Sequence, residues 1–134
     1  MNYVAIDTDV ASVSLRGRLP AEARRHLAGK SICLTFVTVG ELSKWMALRN
    51  WGASRRRSLL AWQHGKVVLP YDEAVAGIWG ELQARAQRRG RPRPANDTWV
   101  AACCLVDDLP LATFNLKDFE DFATYDGLRL IPTS

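Results

Sequence analysis

The sequence predicts an α/β fold: one domain with a central, mostly parallel sheet of four to five strands and helices on both faces. Three observations carry that expectation. Short apolar runs stop abruptly at polar or acidic residues, as buried strands do. Between them lie longer stretches with apolar residues at helical spacing. The two patterns alternate along the chain, which calls for parallel strands joined by helical crossovers.

The chain of 134 residues suits a single domain spanning 1–134. Hydrophobic residues make up 48% and charged residues 24%, the balance of an ordinary globular protein. No apolar run approaches the ~20 residues of a membrane span. The first residues, Met1-Asn2-Tyr3-Val4-Ala5-Ile6-Asp7, run straight into a strand and do not resemble a signal peptide, so the expected location is the cytoplasm.

Tyr3 to Ile6 reads as a buried strand, and Asp7 to Ser14 as one or two helical turns. Pro20 to Ala28 is a helix with proline near its first turn, where a missing N–H does no harm, and Gly29 closes it. Ser31 to Phe36 is the next strand. Thr38 is expected to start a helix, since Thr38-x-x-Glu41 fits a capping box and Leu42, Trp45, Met46 and Arg49 follow at helical spacing. Ala53 to Gln63 is a helix ended by His64-Gly65, and Val67 to Leu69 is a short strand stopped by Pro70. Asp72 to Arg89 is a long helix with Val75, Ile78, Trp79 and Leu82 on one stripe. Gly90-Arg91-Pro92-Arg93-Pro94 is a loop. Ala95 to Val106 is a buried helix, Leu111 to Thr113 a strand, Asn115 to Phe119 a turn or short helix, and Leu128 to Ile131 the last strand.

Cys33, Cys103 and Cys104 sit in apolar contexts and read as buried free thiols; zinc spacing and its histidines are absent. Net charge is +4. The excess is arginine and it is clustered: Arg85, Arg88, Arg89, Arg91 and Arg93 lie close together, and Arg55, Arg56 and Arg57 are consecutive. Such clusters are either solvated faces or phosphate forks.

Right-handed crossovers put each helix start near the carboxyl end of a strand. Asp7 ends the first strand, and Glu41 lies near the start of the helix after the second. Asp97 falls in the first turn of the helix leading to the Leu111 strand. Asn115 and Asp118 follow that strand and share one turn. All five map to the sheet edge where open α/β folds bind ligands. Two carboxylates ~5 Å apart repel by about 3 kcal/mol at an effective dielectric of 20, so a cation should compensate. Oxygen donors without histidine or cysteine favour Mg²⁺ or Mn²⁺. Each acid also has a structural alternative as a helix cap or dipole partner.

Four segments carry a resemblance: Ile6-Asp7-Thr8-Asp9-Val10-Ala11-Ser12, Thr35-Phe36-Val37-Thr38-Val39-Gly40-Glu41-Leu42, Asn96-Asp97-Thr98-Trp99-Val100-Ala101-Ala102 and Leu111-Ala112-Thr113-Phe114-Asn115-Leu116-Lys117-Asp118-Phe119. Together they resemble PIN-domain ribonucleases, most closely the VapC-type toxins of toxin–antitoxin pairs. The resemblance implies a Mg²⁺- or Mn²⁺-dependent endoribonuclease that cuts structured RNA, often tRNA, by in-line attack of activated water, leaving 5′-phosphate and 3′-hydroxyl ends. It assigns Asp7, Glu41, Asp97 and Asp118 to the metal, with Thr8, Thr113 and Asn115 in support. Many relatives carry aspartate where Asn115 stands, so Asp118 and Asn115 are alternatives for the fourth ligand. Asp9, two residues past Asp7, is expected to point elsewhere. The resemblance also implies a homodimer and a VapB-like antitoxin that blocks the site. In this frame Arg85, Arg88, Arg89, Arg91 and Arg93 would hold RNA phosphates, and Trp99 either stacks a base or belongs to the core.

Two other readings stand beside it. Asp7-Thr8-Asp9-Val10 after a strand also opens haloacid-dehalogenase-type phosphatases, with Asp7 as nucleophile and Asp9 as acid. Its further acidic pair should follow a strand, whereas Asp107-Asp108 precedes one. A catalytically silent RNA-binding module is the second.

Overall fold

The structure, a computed structural model, describes residues 2–133. In chain order its elements are β1 (Tyr3–Ile6), α1 (Thr8–Leu15), α2 (Ala21–Leu27), β2 (Ser31–Thr35), α3 (Phe36–Leu48), α4 (Ala53–His64), β3 (Val67–Leu69), α5 (Glu73–Arg88), α6 (Ala95–Val106), β4 (Leu111–Thr113), α7 (Leu116–Asp126) and β5 (Leu130–Pro132). The strands form one sheet in the order β3-β2-β1-β4-β5, and every neighbouring pair is parallel. The expected sheet is therefore present with five strands.

Alternation along the strands divides the core in two. Ala5, Cys33 and Leu111 face a cluster built with Val75, Leu82, Ala101, Cys104 and Phe122. Their neighbours Val4, Ile6, Leu34 and Ala112 face the opposite cluster, with Val10, Leu42, Met46 and Leu59. Both faces are buried, which explains why the strands read as continuous apolar runs. The three cysteines are buried and free, and burial pushes the Cys103 thiol up to about 12. Trp99 belongs to an aromatic group: it stacks on Trp79 at 4.8 Å between centroids and meets Phe36 and Tyr71 edge-on. The core reading of Trp99 is the one the structure bears out.

Three boundaries differ from expectation. Helix α3 starts at Phe36, not Thr38: Thr35 caps it, its hydroxyl accepting from the Thr38 N–H at 3.3 Å. Thr38 is buried inside the helix, no capping box forms, and Glu41 is released to face elsewhere. Helix α7 runs to Asp126, far beyond the short turn expected. Gly127, left-handed at φ 81°, ends it, and the Leu128 N–H reaches back to the Phe122 carbonyl at 3.2 Å. That cap uses up Leu128, so the last strand begins at Leu130.

What holds α7 is a clasp of opposite charges. Arg85 on α5 reaches Asp126 at 3.0 Å, and Arg89 approaches it at 3.9 Å. Arg91 forks onto Asp121 through two hydrogen bonds of 2.9 and 3.1 Å. The Arg91 fork holds the Asp121 carboxyl below its usual range. The Asp126 side chain is only 1% exposed. A buried carboxylate that loses a close partner is destabilising. Arg85→Ala is therefore expected to lower unfolding stability by about 2 kcal/mol, read by urea denaturation; a shift within error would mean that Arg89 alone satisfies Asp126.

Candidate active site

The carboxyl edge of the sheet carries a cleft of about 140 Å³. Asp7, Asp9, Glu41, Asp97 and Asp118 line it, with Asn96, Asn115, Trp45, Val100 and Phe119. Each acid arrives differently. Asp7 ends β1 and caps α1, its Oδ1 accepting from the Val10 N–H at 3.1 Å. Glu41 lies in the second turn of α3. Asp97 and Asp118 each stand third in a helix, α6 and α7.

Hydroxyls fix two of these acids. The Thr113 hydroxyl donates to Asp7 Oδ2 at 2.5 Å and accepts from the Asn115 N–H at 2.9 Å. That N–H orients the hydroxyl so that its proton points at Asp7. Thr8 donates to Glu41 Oε1 at 2.7 Å and meets Thr38 Oγ1 at 3.1 Å. Since Thr8 has one proton, Thr38 is the donor of the second contact. Thr8, Thr113 and Asn115 thus stand where the resemblance needs support.

Asp9 corrects the sequence reading. It faces the cleft, and the Asn115 amide donates to its Oδ2 at 2.5 Å. Asp7 is extended while Thr8 and Asp9 already belong to α1, so neither strand nor helix periodicity relates the two aspartates. Asn115 precedes α7 and makes no side-chain cap; its amide Nδ2 is turned to Asp9 instead. Asn96 and Trp45 are lining residues that sequence reasoning missed. Asn96 adjoins Asp97, and Trp45 lies four residues after Glu41 on the same helical face.

Crowding leaves an electrostatic signature. Burial pushes the Asp7 carboxyl up to about 6, with Asp9 and Asp97 adding repulsion against the opposing bonds from Thr113 and Val10. Asp97 is also raised to about 6, by burial and then by Asp118, with Arg93 acting against it. The donor set is oxygen only, which suits Mg²⁺ or Mn²⁺. Among the described residues no three His, Cys, Asp or Glu side chains are drawn close enough to hold an ion unaided. Mg²⁺ keeps several waters and needs only one or two direct carboxylates, so the open ring fits it better than a closed cage would.

The family model described as PIN domain matches residues 4–125. The chain belongs to the PIN-domain family. It is 29% identical to Toxin FitB of Neisseria gonorrhoeae over 129 residues, 87% of this chain and 90% of that protein. It is 27% identical to Ribonuclease VapC1 of Haemophilus influenzae over 119 residues, 86% of this chain and 88% of that one. In solved structures it resembles a chain of VapBC2 from Rickettsia felis bound to promoter DNA, with TM-score 0.82 and 17% identity over the whole of both chains. It also resembles a chain of FitAcB from Neisseria gonorrhoeae, with TM-score 0.74 and 26% identity over 96% of each.

Four of the five arginines expected at the RNA phosphates face carboxylates of α7, while Arg88 is exposed. Arg85 and Arg89 face Asp126, and Arg91 and Arg93 face Asp121, the last at 3.9 Å. Arg93 still bears on the site through its charge at Asp97. Asp107 and Asp108 line a hollow with Asn2, Tyr3 and Pro110 at the opposite edge of the sheet, away from Asp7. The dehalogenase-type arrangement is therefore not formed.

The raised carboxyls make metal-free stability depend on pH. Between about pH 4 and 6 the unfolded chain has ionised these aspartates while the fold keeps them protonated. The fold then binds more protons, and stability falls as pH rises through that window. Asp121, whose shift is downward, acts only below it. In EDTA the melting temperature is expected to fall between pH 5 and 7.5. Asp97→Asn should flatten that fall and add about 1 kcal/mol at pH 7.5, since relieved repulsion exceeds the ~0.5 kcal/mol lost from the helix dipole. A clear loss of melting temperature in Asp97→Asn would make it a structural residue instead.

Proposed function

We propose that this chain is the toxin of a VapBC-type toxin–antitoxin pair and acts as a divalent-metal-dependent endoribonuclease. The observation that carries the reading is the gathering of Asp7, Glu41, Asp97 and Asp118 in one cleft, with Asp7 and Asp97 raised to about 6 by burial and then by neighbouring carboxylates. Relatives named as a toxin and a ribonuclease support it, as do neighbours named as VapBC and FitAB complexes. The partners are an RNA substrate, a VapB-like antitoxin and a second copy of the chain. The place of action is the cytoplasm; no described helix is long and apolar enough to cross a membrane.

The chemistry that bound Mg²⁺ or Mn²⁺ supplies is charge neutralisation at the phosphate and a lowered pKa for water. The chain's own residues set the stage for it. Asp7, gripped by Val10 and Thr113, presents its carboxylate in one orientation. Glu41, gripped by Thr8, faces it from α3. Asp97 and Asp118 complete the ring from two helix N-termini, and Asp118 would hold the cation in preference to Asn115, whose amide donates to Asp9. Trp45, Val100 and Phe119 wall the cleft with apolar surface, which strengthens the electrostatics inside.

Two measurements test this. Purified protein should cut a labelled RNA in Mg²⁺ or Mn²⁺ and stop on chelation. Asp7→Asn and Asp97→Asn should each slow cleavage at least about a hundredfold, some 2.7 kcal/mol of transition-state stabilisation, with an unchanged circular dichroism spectrum. Cleavage by either variant at the wild-type rate would refute the site. Tight RNA binding with no cleavage in either metal would favour the silent binding module.

A further inference from the structure

A second concavity of about 230 Å³ opens beside the acidic cleft and shares Trp45 with it. Two helices run from one to the other. On α1, Thr8 faces the cleft and Ser12 follows four residues on; Arg16, which caps the helix end, comes four residues after that. On α3, Glu41, Trp45 and Arg49 follow the same interval. Residues four apart share a helical face, so each helix presents a track from acid site to arginine. Arg49 lies about 12 Å from Glu41 along the helix axis. Trp51 and Arg55 close the far side.

The chemistry of this groove is the inverse of the cleft's. Arg16, Arg49 and Arg55 line it, and no carboxylate does. Among the described residues no ion pair involves any of the three. Arg85, Arg89, Arg91 and Arg93, by contrast, all face carboxylates of α7. Arg49 lies over the Trp45 ring at 5.4 Å and Arg55 over Trp51 at 4.8 Å. The Trp51 indole N–H is buried and has no partner. Guanidinium groups interleaved with indole rings match a strand of phosphates and bases.

We propose that this groove holds the single-stranded RNA flanking the scissile bond, with Arg16, Arg49 and Arg55 on its phosphates and Trp51 beside a base. The proposal rests on the endoribonuclease reading and assigns that site's substrate track. An anionic strand needs such an anchor, because the acidic cleft repels it until cations bind.

The test uses a fluorescein-labelled, mixed-sequence 12-nucleotide RNA in EDTA, so that binding is read without cleavage. The Arg49→Ala, Arg55→Ala double variant should weaken binding at least tenfold. It should also lower the slope of log K against log salt by about 1.4, two phosphate contacts on a single strand. Trp51→Leu should weaken binding about tenfold with little change in slope. Arg91→Ala should leave affinity within twofold. Double-variant binding within twofold of wild type overturns the proposal, as does RNA loss confined to Arg91→Ala. If the double variant keeps RNA but no longer copurifies with its antitoxin, the groove is a protein-docking surface and the RNA assignment falls. Wild-type protein that neither binds nor cuts RNA would instead refute the endoribonuclease reading itself.

Discussion

Five carboxylates crowded at one sheet edge set the terms for everything around them. The two that are most withdrawn from solvent resist ionisation: burial first, and then neighbouring carboxylates, raise Asp7 and Asp97 to about 6. A fold keeps such a cluster only if other contacts overdetermine the positions of its members. Here they do. Asp7 is held by a helix N-terminus and a threonine hydroxyl, Glu41 by a threonine pair, and Asp97 by a helix whose inner face is almost wholly buried. The strain is local and reversible: protonation or a cation removes it.

The same logic explains the long α7. Its first turn delivers Asn115 and Asp118 to the cleft, yet its sequence Glu120-Asp121-Phe122 adds more negative charge close by. The clasp from α5 and the following loop resolves this. Arg85 and Arg91 neutralise Asp126 and Asp121 and pin the helix against the sheet. Gln83 assists from α5, donating to the Arg93 carbonyl at 3.1 Å and to Thr98 at 2.6 Å, which ties the loop to the start of α6. Four of the arginines that look free for RNA in sequence, Arg85, Arg89, Arg91 and Arg93, face Asp121 and Asp126 of α7 instead, whereas Arg88 is exposed.

Much of this was legible in the chain. Apolar runs ending at Asp7 and Thr113 marked the strands, and topology alone brought Glu41, Asp97 and Asp118 to the same edge. The misses have physical causes. Thr35 and Thr38 are both competent caps, and only packing decides that Thr35 caps while Thr38 turns inward to Thr8. Helix α7 was read short because what holds it is long-range: the burial of Phe119 and Phe122 in the core and the ion pairs of Asp121 and Asp126 with arginines of α5 and the loop after it. Phe119, Phe122 and the stop at Gly127 were the clues available. Asp9 was misplaced because helical spacing, which turns residues two apart to different faces, was applied across Asp7, whose backbone is still extended.

The partition of charge follows from these commitments. A net charge of +4 is too small to draw RNA as a bulk property, so attraction has to come from where the unspent cations stand. Ion pairing with α7 occupies Arg85, Arg89, Arg91 and Arg93 of one arginine cluster. The α1–α3 tracks place another beside the acids, close enough that one strand spans both. Repulsion in the cleft and attraction in the groove then act on the same strand. The groove fixes the register in which a phosphate enters, while the cleft accepts that phosphate only when a cation accompanies it. Binding and cutting are thereby separated into two surfaces that meet at Trp45. A substitution on one surface should change affinity and a substitution on the other the rate, since the two share that indole and little else.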